Sequence, residues 1–440
     1  MEFSSLMWSV PFLGIIFSMS LLPLICPKFW HKYGSAVPFF WISIYLFFVE
    51  YAFGFPKIFC AIFEPLANHY VSFIVLISAL YITAGGVFLD FPRKQQSPFF
   101  NTAFLFFGSL LSGWIGTTGA STLLIRPLLR ANANRICKTH IVLFFIFLIS
   151  NIGGAATPLG DPPLFIGFQE GVDFFWFLKA LYKYTIPTTV VLCVIFFAVD
   201  CFLLSKEKHI ETETEEEKEN SGFIIEGHKN IFLIFGILLA IIFCDFNGTF
   251  SIFGKAFKHA SIMRNIIIAA IAFISIKITP EKMREKNHFS FDPIKEIAEL
   301  FVGIFITVTP VICILDQGVN GEMKFIFDWM APMGEFIASR CFWVSGMLSS
   351  VLDNAPTFLI FFHMISGNAA EMMAEKSRLL VSISISTVFM GALTYIGNAP
   401  NLMVRSIARN YGVSPPSFVG YIGWSALILC PIFYIVARFI

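Results

Sequence analysis

A polar phrase written twice inside apolar sequence sets the tightest limit on how this chain can fold. Gly154-Ala155-Ala156-Thr157-Pro158-Leu159-Gly160-Asp161-Pro162-Pro163 recurs as Gly391-Ala392-Leu393-Thr394-Tyr395-Ile396-Gly397-Asn398-Ala399-Pro400. The shared pattern is G-A-x-T-x-[L/I]-G-[D/N]-x-P. Glycine, proline and threonine at these places break a helix and free backbone groups that hydrocarbon cannot satisfy. Such breaks stand only where protein or a water-filled cavity lines them. Paired interruptions at matching positions of two halves point to a site at the membrane midplane, between repeats.

The solvent for most of the chain is lipid. Its 440 residues are 57% hydrophobic and 13% charged, with a mean hydropathy of +0.76, whereas a soluble domain is about 25% charged. The 55 Phe residues read as lipid-facing and inter-helix packing. A net charge of +1 gives no electrostatic case for nucleic acid. The nine Cys are scattered, most of them in apolar spans (Cys193, Cys244, Cys313, Cys430), without a C-x-x-C pair. They read as small buried hydrophobes. The N-terminus has no basic leader region and reads as a retained first span. No phosphate loop, metal triad or nucleophile pair is visible, so neither an enzyme nor a cofactor is expected.

A span needs about 20 apolar residues. That ruler places spans near 6–26, 36–54, 68–90 and 183–204 in the first half, and near 230–247, 262–278, 296–316 and 417–440 in the second. Apolar stretches too short to cross in each arm form re-entrant hairpins at 99–130 and 338–366. Broken helices follow at 140–170 and 378–410, and an interfacial helix is expected at 321–336. The predicted fold is therefore an all-α polytopic membrane protein. It has about ten transmembrane helices and two hairpins, with discontinuous helices at the midplane. The first repeat covers 1–204 and the second 230–440. The hydrophilic stretch 205–229, with its acidic run Glu211 to Glu217, is a solvated linker. Five full crossings per half make the repeats inverted. Loops 27–35, 90–98, 126–140, 205–229, 277–295 and 405–416 hold the larger share of Lys and Arg, which makes them cytoplasmic and puts both termini outside.

Ionisable residues at membrane depth cost about 2.5–3.5 kcal/mol each on insertion scales, and each is a functional candidate. Asp161 lies in the first polar phrase, and Asp353 lies at the tip of the second hairpin. Asn398 matches Asp161. Thr118 is laid opposite Asp353, in the weaker of the two alignments. Oxygen donors surround both acids: Thr117, Thr118, Ser121, Ser150, Asn151, Thr157, Asn354, Thr357, Thr394 and Asn398. The breaks also free backbone carbonyls, which suit a hard cation such as sodium. Two carboxylates sharing a dry cavity repel, so at least one should hold a proton; sodium entering the site would expel it. The alternative for Asp161, ahead of Pro162-Pro163, is a helix cap. Glu50, Asp90, Asp200, Asp245 and Asp316 fall near span ends, where solvated or capping roles are expected. Arg126 and Arg130 read as snorkelling anchors that could meet an anion. His140 and His363 have no evident partner, and His209 and His228 carry no signal.

Thr118-Gly119-Ala120-Ser121-Thr122-Leu123-Leu124-Ile125-Arg126-Pro127, Ser150-Asn151-Ile152-Gly153 running into the first polar phrase, and Leu352-Asp353-Asn354-Ala355-Pro356-Thr357 resemble the NhaD-type sodium/proton antiporters. These belong to the ion transporter superfamily, with citrate and dicarboxylate carriers and arsenite permeases. The resemblance runs over nearly the whole chain outside the linker. It implies inverted repeats, a scaffold that dimerises and a transport domain that moves like an elevator in a bacterial inner membrane. It also implies cation binding by Ser150, Asn151, Asp161, Asp353, Asn354 and Thr357; the residues themselves add Thr157 and Asn398 to the expected ion site, with Thr118, Ser121, Thr122 and Thr394 in support. The second polar phrase departs from it, with Asn398 and no carboxylate. The expected activity is exchange of sodium or lithium for protons. The alternatives are sodium-coupled citrate or dicarboxylate transport and, third, an oxyanion permease.

Overall fold

Glycine and proline set most element boundaries in this computed structural model, which describes residues 5–91, 97–207, 224–244, 249–252, 255–315, 317, 321–322, 324–331 and 335–440. The first half runs α1 (Val10–Ile25), α2 (Pro27–Tyr33), α3 (Ala36–Phe53), α4 (Pro56–Pro65) and α5 (Val71–Ala84). It continues with α6 (Pro98–Ile115), α7 (Thr117–Ala131), α8 (Thr139–Leu148), α9 (Pro162–Gln169) and α10 (Phe174–Lys206). The second half runs α11 (His228–Phe243), α12 (His259–Ile278), α13 (Glu281–Lys286), α14 (Asp292–Leu315) and α15 (Lys324–Met330). It closes with α16 (Ala338–Leu352), α17 (Asn354–Ile365), α18 (Ala369–Met373), α19 (Ser377–Met390), α20 (Ala399–Asn410) and α21 (Phe418–Phe439).

Among the described residues, seven helical stretches are long and apolar enough to cross a membrane. They are Leu6–Pro23, Ala36–Phe53, Pro98–Ile115, Thr139–Ala156, Phe174–Lys206, Asp292–Ile314 and Phe418–Phe439. Four apolar helices are shorter, including α5, α11 and α17. The span expected at 68–90 is instead the end of a continuous helical run, because α4, a π-helical turn at Leu66–Tyr70 and α5 follow one another without a break. The π turn absorbs Pro65, which would otherwise stop the run. The span expected at 183–204 begins earlier, at Phe174. There the Asp173 carboxylate caps the helix by accepting from the Trp176 N–H at 2.7 Å. Of the expected interfacial helix, Lys324–Met330 is helical.

Two short strand pairs stand beside the helices, which an all-α expectation omitted. β1 (Phe88–Asp90) pairs antiparallel with β2 (Ile224–Glu226) and ties the exit of α5 to the entry of α11. β3 (Thr249–Ile252) pairs with β4 (Lys255–Lys258). Most of the acidic linker, with His209, lies outside the described residues, as do Asp245 and Asp316.

α6 turns into α7 and α16 into α17 at tips with the same backbone, although α6, expected to be too short to cross, is long and apolar enough to do so. Gly116 sits at φ 83°, ψ 143°, and Asp353 at φ 80°, ψ 145°. The spacing of 237 residues between Asp161 and Asn398 also links these tips, and it relates one hydrogen bond to another. Thr157 donates to the Gly113 carbonyl and Thr394 to the Ser350 carbonyl, each across 44 residues. The position equivalent to Asp353 is therefore Gly116, not Thr118. The reason is steric, since a positive φ is a glycine conformation.

The broken helices form the centre. α8 is buried from His140 onward, and so is α19 from Leu379 onward. Around them pack α6, α7, α9, α10, α16, α17 and α20. A second group, α1, α3, α4, α5, α11, α12 and α14, packs mainly among itself. It meets the central group chiefly where α5 lies on α7 and where α14 lies on α17.

Candidate functional site

Asp161 immediately precedes α9, whose first two residues are Pro162 and Pro163. Proline at these positions presets the backbone for a helix start and removes N–H groups that would otherwise lack partners. The Asp161 carboxylate makes no capping bond to its own helix. It is 2% exposed and is held by three residues of other elements. Thr117 Oγ1 donates to Oδ1 at 2.6 Å. Asn398 Nδ2 donates to the same oxygen at 3.2 Å. Asn354 Nδ2 donates to Oδ2.

These partners stand at the starts of α7, α17 and α20, so four helix N-termini converge on one carboxylate. Each contributes partial positive charge. Thr117 comes from the first half, and Asn354 and Asn398 from the second. The site therefore exists only when both halves pack together.

Asp353 immediately precedes Asn354. Its Oδ1 accepts from the Asn354 N–H at 2.6 Å, and its main-chain carbonyl accepts from Thr357 Oγ1 at 2.7 Å. Both acids thus accept from a single asparagine residue. Asn354 is fully buried, and its Oδ1 has no hydrogen-bond donor. A buried acceptor without a donor costs about 1–3 kcal/mol, and a cation would satisfy it.

The remaining predicted residues form the frame. Ser121 and Ser150 share a hydrogen bond at 2.7 Å. Asn151 Nδ2 donates to the Ile146 carbonyl and to Asn401 Oδ1, both at 2.8 Å. Asn398 Nδ2 reaches the Ser150 carbonyl at 3.0 Å as well as Asp161. Thr122 Oγ1 turns back to the Thr118 carbonyl at 2.9 Å.

The freed carbonyls expected as cation ligands are largely occupied. Gly113, Ile146, Ser150, Ser350, Gly391 and Thr394 carbonyls all accept from side chains. Sequence reading missed Asn401, whose amide donates to the Gly391 and Thr394 carbonyls at 2.9 Å each. It lies three residues beyond Asn398, in the first turn of α20.

A cavity of about 30 Å³ opens beside Asp161, with Leu76, Leu80, Thr117, Thr118, Pro162 and Phe165 among its walls. No Lys, Arg or His lines it. Its volume suits one or two water molecules or a small ion.

Other charged candidates have found structural partners. Asp200 is 0% exposed and does not cap α10. It accepts from Arg135 at 2.8 Å, His140 at 2.9 Å and Asn101 at 2.9 Å. Arg135 also pairs with Glu207 at 3.1 Å. His140, for which sequence offered no partner, is thus paired, and His363 lies 3.6 Å from Glu170. Arg130, expected to snorkel, pairs with Asp90 at 3.0 Å. Among the described residues no cluster of three or more His, Cys, Asp or Glu could hold a metal ion.

Comparison with known proteins adds two findings. Residues 1–440 match the family described as "Putative citrate transport". The chain is also 25% identical over 276 residues to a "46 kDa membrane protein" of Mycobacterium leprae (strain TN), covering 61% of this chain. The match spans 59% of that relative's length.

Proposed function

We propose that this chain, which belongs to the citrate-transport family matched above and is a multi-pass membrane transporter, exchanges sodium or lithium for protons at Asp161. The observation that carries this reading is the environment of that carboxylate. It is buried, reached by neutral donors from both halves, and bordered by a small void without a cationic side chain. An ionised Asp161, with Asn354 Oδ1 beside it, offers oxygen to a hard cation. A protonated Asp161 does not. One site that holds either species, and never both, couples their movements. Asp353, one residue from Asn354, adds negative potential and sharpens the competition.

On this reading the contact of α5 with α7 and of α14 with α17 is the sliding face of an elevator. The chain works as a homodimer in a bacterial inner membrane with both termini outside, as the distribution of Lys and Arg favours.

Sodium-coupled transport of citrate or a dicarboxylate is the second reading. The family's description favours it, and so do the converging helix N-termini, which suit an anion. Against it stands the void of about 30 Å³, since small-molecule pockets run to about 300 Å³ or more. Everted vesicles with an entrapped pH dye separate the two. Proton movement on adding sodium or lithium is expected. Silence there, with citrate uptake present, would overturn the first reading in favour of the second.

A further inference from the structure

A second cavity, of about 490 Å³, opens between α10 and α21, away from Asp161. Its walls include Pro187 and Val191 from α10 and Ile432 and Ile435 from α21. Both helices are long and apolar enough to cross a membrane. Val191 is 44% and Ile435 56% exposed, so the cleft faces outward, where hydrocarbon lies. Tyr184 closes one end by donating to the Phe439 carbonyl at 3.3 Å.

That end carries positive charge. Lys183 lines the cleft, with Nζ 5.5 Å from the Tyr184 ring centre. It forms no ion pair with a carboxylate among the described residues. The depth is right for a headgroup. α10 has 33 residues and is about 50 Å long, against a hydrocarbon core of about 30 Å. Its first turns, with Lys179 and Lys183, therefore lie at the membrane surface while Pro187 and Val191 enter the core.

We propose that this groove seats an anionic phospholipid, one acyl chain lying between α10 and α21 and the headgroup phosphate against Lys183. Apolar walls bind the chain through buried area, and the Lys183 ammonium selects the charge of the headgroup. The proposal is independent of what Asp161 transports.

The test is native mass spectrometry of the full chain, stripped of lipid in detergent and offered phosphatidylglycerol or phosphatidylcholine of the same acyl composition. The wild type should retain one phosphatidylglycerol per chain in preference to phosphatidylcholine. Lys183→Gln should lower phosphatidylglycerol retention about fivefold and erase the preference. Val191→Trp and Ile435→Trp, both on exposed sites, should lose either lipid while their unfolding midpoints stay near that of the wild type. Equal retention of the two lipids by the wild type would overturn the proposal, as would unchanged retention in both Trp variants. A dimer that falls to monomer in those variants with lipid retention unchanged would assign the groove to a second copy instead.

Discussion

Asn398 and Asp161 occupy the same place in the two copies of the polar phrase, and they are hydrogen bonded to each other at 3.2 Å. The duplicated elements therefore meet at their own equivalent residues. One copy has an acid there and the other a neutral amide that donates to it. An acid at both places would set two carboxylates against each other at hydrogen-bond distance, which the low dielectric penalises.

Asn398→Ala removes one of three donors to Asp161 and leaves Thr117 and Asn354 in place. A hydrogen bond to a charged group contributes about 1.5–3 kcal/mol. The expected result is a folded, inserted protein whose half-saturating sodium concentration rises about 10- to 100-fold. Sodium-dependent exchange in proteoliposomes measures it. An unchanged value would remove Asn398 from the site.

Asp353 is a non-glycine residue at φ 80°, in a region that costs about 1–3 kcal/mol to occupy. Its equivalent in the first hairpin is Gly116, at φ 83°, which pays no such cost. Asp353→Gly should raise the unfolding midpoint in detergent, because loss of the cap to Asn354 costs only a few tenths of a kcal/mol on replacement by glycine. The same variant should lose exchange. Lower stability with activity retained would show that the carboxylate serves the fold and not the site.

Arg135 and Asp200, with side chains 1% and 0% exposed, tie the start of α8 and the end of α10 to the open end of the first hairpin. Arg135→Gln leaves a buried acid without its cation. About 3–5 kcal/mol of destabilisation is expected, read as a lower midpoint and lower membrane yield. The half-saturating sodium concentration of the protein that does fold should not change.

Competition for one carboxylate has a pH signature. As pH falls, protons occupy the site and sodium must displace them. The half-saturating sodium concentration should then rise toward about tenfold per pH unit, while the maximal rate stays nearly constant. Flat sodium dependence between pH 6 and pH 8.5 would show that the two ions do not share a site.

The broad plan was legible in the sequence because hydrocarbon imposes it. Gly, Pro and Thr inside apolar stretches could only be breaks, and the polar phrase named Asp161, Asn398 and Thr157 directly. Asp353, Asn354 and Thr357 were legible as a polar tip between apolar arms. Three things were not. Side-chain similarity lays Thr118 opposite Asp353, whereas backbone geometry decides, and Gly116 carries the positive φ. Asn401 carries no signal in the sequence because its partners, the Gly391 and Thr394 carbonyls, are freed only by the local path of the break. Asp200 and His140, 60 residues apart, read as unrelated span-end residues, since nothing in a linear pattern shows that α8 and α10 bring them to 2.9 Å.

Proton release on sodium binding tests the central claim most directly. Purified protein in weakly buffered detergent near neutral pH is titrated with sodium chloride, with choline chloride as control, while a pH indicator reports the medium. Sodium should expel protons in proportion to the sites filled, and Asp161→Asn should expel none while remaining folded. Sodium binding without proton release, or release that persists in Asp161→Asn, would contradict it.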